Sequence, residues 1–116
     1  MRQLPCMNRG TALLLLLLAA ILEVGGDAVV RMALHRPSGI ARILIFVAGA
    51  VILFAYGYTV NAPPWDFGRL LGLYVVLFFV VAQAVSWIGF GQRPSLGVMC
   101  GGALIVSGGI VIALFQ

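Results

Sequence analysis

The chain carries four long apolar runs, at about 11–34, 40–61, 69–90 and 95–115, each long enough to cross a lipid bilayer. A hydrocarbon core of about 30 Å takes roughly 20 apolar residues as a helix. The breaks between the runs are "HRPSG" (35–39), "NAPPWDFGR" (61–69) and "GQRPS" (91–95), rich in the Pro, Gly, Ser and Arg that end helices. Strands of a membrane barrel would be about 10 residues long and alternate apolar with polar, and neither property is present. Composition agrees: 63% of residues are hydrophobic, 9% are charged and none is lysine. A soluble domain carries about a quarter charged residues. The chain therefore reads as one all-α membrane domain over 1–116, with no room for a soluble domain and no motif for nucleic acid or nucleotides.

The start, "MRQLPCMNRGTALLLLLLAA", imitates a secretory signal peptide, with a basic region before a leucine run. Glu23 and Asp27 follow at once, however, and "AVVRMAL" resumes the apolar pattern to complete a full span, so an uncleaved first helix is expected. Cys6 falls in the tail and Cys100 in the fourth run. No bridge and no metal site is expected from them.

Arginine placement gives almost no sidedness. The two termini and the middle loop carry Arg2, Arg9 and Arg69; the opposite side carries Arg36, Arg42 and Arg93, joined by Arg31 where it snorkels outward. Two explanations stay open. The near-tie is an accident of few charges, or the chain inserts both ways, so that two copies meet as an antiparallel pair and create the inverted repeat of larger secondary transporters.

The charges inside the first run are the strongest functional signal. Glu23 is the thirteenth of the 24 residues 11–34, close to the bilayer midplane. An acidic side chain at that depth usually faces a bundle interior or a wet cavity and marks an ion or substrate pathway. Removal from water favours its uncharged form, which is the property of a proton-coupled carboxylate. Glu23, Asp27 and Arg31 follow at steps of four and spread over about 80° of one helix face. Asp27 and Arg31 are positioned to pair, whereas Glu23 is two turns from the arginine. Gly25 and Gly26 beside the stripe permit close approach of a neighbouring helix or partner chain.

The third run adds Tyr74, Gln83, Ser86 and Trp87, an aromatic and polar set suited to lipophilic cations. Trp87 and Tyr74 are also placed where aromatic residues anchor at the membrane interface, and Tyr56 and Tyr58 are expected to be such anchors. In the fourth run Gly97, Gly101 and Gly108 recur at steps of four and seven, with no charged residue, which reads as an association helix.

Taken together, "AILEVGGDAVVRMAL", "SWIGFGQRPSL" (86–96) and the Gly101–Gly108 spacing resemble the small multidrug resistance transporters and the related YnfA-like four-helix proteins of the drug/metabolite transporter superfamily. The similarity covers nearly all of 14–115. The first-helix signature falls on Glu23, Gly26 and Arg31. The resemblance implies an antiparallel, dual-topology homodimer in the bacterial cytoplasmic membrane. In it the two copies of Glu23 exchange protons for a small cationic or amphipathic substrate by alternating access. It also implies that the substrate-facing aromatic residue of the third helix is Tyr74, with Trp87 and Ser86 nearby, and that the fourth helices dimerise through their glycines. Asp27 departs from the multidrug pattern and adds acid to the pocket. "EVGG" with "FGRLLGLY" (67–74) is similar to the YnfA-like branch, and "GFGQRP" to the multidrug branch.

The leading expectation is thus a proton-coupled exporter with no cofactor. Two others stand beside it: a half-sized flippase subunit for a lipid-linked sugar, and a non-transporting assembly protein whose charges only join helices. An enzyme is not expected, because no nucleophile and base arrangement and no cluster of metal ligands occurs.

Overall fold

The computed structural model describes residues 8–115. Cys6 and Arg2, and the expectations that rest on them, lie outside the described residues. Four helices follow in order: α1 (Arg9–Leu34), α2 (Ile40–Val60), α3 (Phe67–Phe90) and α4 (Leu96–Leu114). All four are long and apolar enough to span a bilayer.

Local chemistry sets the helix ends. The Asn8 side chain accepts a hydrogen bond from the Gly10 amide at 2.8 Å and opens α1. After α1 the chain turns through Pro37 and reaches Gly39 at φ 151°, a conformation that favours glycine, before α2 begins. α3 ends at Gly91 in the left-handed region. The chain folds back there, so the Gln92 amide donates to the Ser86 carbonyl at 3.0 Å and Ser86 Oγ lies 3.2 Å from Gln92 Oε1. Ser95 caps α4 by accepting from the Val98 amide at 3.2 Å.

The helices stand in the spatial order α2–α1–α3–α4, with α1 packed on both α2 and α3, and α4 packed chiefly on α3. The molecule measures 50 × 37 × 19 Å. Its core lies between the first halves of α1 and α3, where Leu16, Ala19 and Ala20 meet Leu70 and Tyr74, with Val60 of α2 closing the end. Small residues allow these close approaches. A Cβ on Gly26 would lie 2.7 Å from Leu53 of α2, and one on Gly49 would lie 2.7 Å from Val30 of α1. Gly26 is thus occupied by the chain's own second helix and is closed to a partner chain.

Candidate functional site

Glu23 is half-buried in the middle of α1, and α3 supplies its partner. Tyr74 lies in the same register of the neighbouring helix, where Ala19 and Ala20 leave room for its ring. It is only 5% exposed, and its hydroxyl donates to Glu23 Oε1 at 2.6 Å. Tyr74 is therefore a core residue and not an interfacial anchor. A phenol hydroxyl both donates and accepts, so it can hold the carboxylate and the carboxylic acid alike.

Tyr56 corrects a second expectation. Read from its place near the end of α2 as an interfacial anchor, it instead turns inward. Its ring centroid lies 5.8 Å from that of Tyr74, and Phe78 stands 6.1 Å from Tyr74 on the other side. Tyr56 lies seven residues, two helical turns, beyond Gly49, which packs on α1, so the two share one face of α2. Tyr58 does remain at the surface, 76% exposed.

Asp27 is treated differently. Beyond Tyr74, α1 and α3 diverge and leave a cleft of about 260 Å³, with Asp27 and Arg31 on one wall and Phe78, Ser86, Phe90 and Gln92 opposite. The expected pairing of Asp27 with Arg31 does not form. The Arg31 guanidinium lies across the ring of Phe90, 5.5 Å from its centroid, and Asp27 has no hydrogen-bond or ion-pair partner among the described residues. An arginine near a helix end is drawn to the aromatic face and the polar boundary, which leaves the aspartate alone. Ser86 reaches the cleft. Trp87 does not, because one helical step turns it outward, where it is 51% exposed and Arg93 covers its ring at 5.4 Å.

On α4 the glycines divide into two stripes. Gly102 and Gly109 press on α3: a Cβ on Gly102 would lie 2.5 Å from Phe79, and one on Gly109 would collide with Val76. A Cβ on Gly101 or Gly108 would meet nothing within 4 Å, and one on Gly97 would approach only Ser95 of its own cap. The stripe expected to join copies is thus the open one, and a second stripe, one residue along, binds the chain to itself.

No protein-family model matches the chain. No solved structure matches it either. Curated proteins do. A UPF0060 membrane protein of Mycolicibacterium vanbaalenii is 35% identical over 98 residues, covering 82% of this chain and 86% of the relative. The UPF0060 membrane protein YfjF of Bacillus subtilis strain 168 is 34% identical over 107 residues, covering 89% of this chain and 92% of its own. A UPF0060 membrane protein of Herpetosiphon aurantiacus is 29% identical over 103 residues. At this identity and coverage, with four apolar helices, the chain belongs to the UPF0060 membrane proteins, a YnfA-like four-helix family of the small-multidrug-resistance type.

Proposed function

We infer that the protein is a proton-coupled secondary transporter, not an enzyme, that exports small cationic or amphipathic compounds from the bacterial cytoplasm across the inner membrane. The observation that carries this reading is the Glu23–Tyr74 hydrogen bond of 2.6 Å in the middle of a membrane span. Among the described residues no guanidinium pairs with this carboxylate; its partner is Tyr74, whose ring has Tyr56 and Phe78 beside it. Such a group stays available to a proton or to an organic cation, and the aromatic faces attract the cation at little desolvation cost.

The working unit in this reading is an antiparallel homodimer. Support comes from the uncovered Gly101–Gly108 stripe, flanked by Leu104 at 75% exposure, and from the near-even division of arginines between the two sides. Small residues are what lets helices associate where lipid is as apolar as leucine.

The test is current measurement on a solid-supported membrane with purified protein in liposomes, screening guanidinium, quaternary ammonium and polyamine compounds. Wild type should give substrate-driven currents and release protons on substrate addition, and Glu23→Gln should abolish both. Coupled transport retained in full by that variant overturns the reading.

A further inference from the structure

The geometry points to a zwitterion-binding site in the cleft between the second halves of α1 and α3, with Asp27 as its cation pole and Arg31 as its anion pole. The inference rests on the transport reading only for the bound molecule's role as cargo; the site itself stands on the cleft.

Three observations converge. Asp27 lies within a membrane-spanning helix, faces open space and has no partner among the described residues. An unpaired carboxylate at that depth is expensive, so something of opposite charge belongs beside it. Arg31, one turn further on, is positioned to be that partner but is held across Phe90 at 5.5 Å. The helix thus presents a negative and a positive pole separated by about 6 Å of axial rise on one wall of the same cleft. The cleft is also furnished for a ligand between them: about 260 Å³, with Ser86 and Gln92 near the arginine end and Val24, Ala28, Ala82 and Val85 as apolar lining.

The lining narrows the chemistry. An unsubstituted ammonium brings several N–H donors that apolar walls leave unsatisfied, whereas a methylated one has none and fits against aliphatic and aromatic surface. The ligand class is therefore a methylated ammonium joined to a carboxylate or phosphate. Two sources share this chemistry: a free betaine-type solute and a phosphocholine lipid headgroup entering from the side.

The test uses the full chain in phosphatidylglycerol nanodiscs, titrated calorimetrically with 4-(trimethylammonio)butanoate, butyltrimethylammonium and butanoate. The zwitterion should bind at least about tenfold tighter than either singly charged analogue, one extra charge contact being ample for that ratio. Asp27→Asn should reduce the zwitterion to the affinity of butanoate, and Arg31→Gln to that of butyltrimethylammonium. The wild-type ranking alone decides the matter where a variant fails to fold. A cation bound as tightly as the zwitterion, or no zwitterion binding, overturns the proposal. Because the assay has no proton gradient, failure of coupling at Glu23 leaves its outcome untouched. Adding phosphatidylcholine to the discs then identifies the source: competition assigns the site to the lipid headgroup, and an unchanged affinity assigns it to the free solute.

Discussion

Helices α1 and α4 have the same construction and use it for different ends. Each presents one face that its own chain covers and another that the chain leaves open. On α1 the division falls between two carboxylates: Glu23 is held by Tyr74, and Asp27, one turn later, faces the cleft. On α4 it falls between two glycine stripes, Gly102 with Gly109 inward and Gly101 with Gly108 outward. Residues of one type, a turn or a single step apart, thus meet different surroundings, and residue type alone does not assign the role.

The largest test of this contrast is on α1. Glu23→Gln should remove coupled transport entirely, whereas Asp27→Asn should keep substrate-induced proton release and only weaken substrate binding, as read by liposome currents and proton release. Equal loss in both variants breaks the distinction. On α4, Gly109→Leu drives a side chain into Val76 and should destabilise the chain by about 3 kcal/mol. Gly108→Leu should leave unfolding in detergent unchanged within about 0.5 kcal/mol while abolishing crosslinking of the proposed dimer. Denaturation followed by circular dichroism, with crosslinking beside it, separates the two.

Smaller effects sharpen the picture of the covered face. Gly26→Leu must displace Leu53 and should lose about 2 kcal/mol of stability in the same assay, whereas Gly25→Leu, which meets nothing within 4 Å, should lose none. Tyr74→Phe removes the hydrogen bond to Glu23 and leaves its acceptor without that donor, a loss of about 1–2 kcal/mol in thermal unfolding. Tyr58→Phe, at a surface position, should stay within about 0.5 kcal/mol of wild type.

The helices were legible from the apolar runs almost to the residue. The expected 40–61 is Ile40–Val60, and 69–90 begins two residues earlier, at Phe67, because the turn after Pro63 and Pro64 is short. The mid-span position of Glu23 was legible too, since an acid there stands out against leucine and valine. What the sequence did not disclose is pairing. Tyr74 meets Glu23 across 51 positions, and no local pattern states which helix α1 lies against. The Arg31 contact is hidden for a related reason: spacing by four places Arg31 beside Asp27, but the competing aromatic face comes from residue 90. On α4 both stripes consist of glycine at sevenfold spacing, so only the position of α3 tells them apart.

The row α2–α1–α3–α4 is also compatible with assembly in the order of synthesis. An α1–α2 hairpin can form as soon as both helices are in the bilayer, and it leaves the side of α1 that meets α3, and then the side of α3 that meets α4, open to the helices that follow. Every newcomer finds its berth already in the membrane, and no helix must leave one neighbour to admit another. Assembly in order of synthesis therefore requires no rearrangement within the chain.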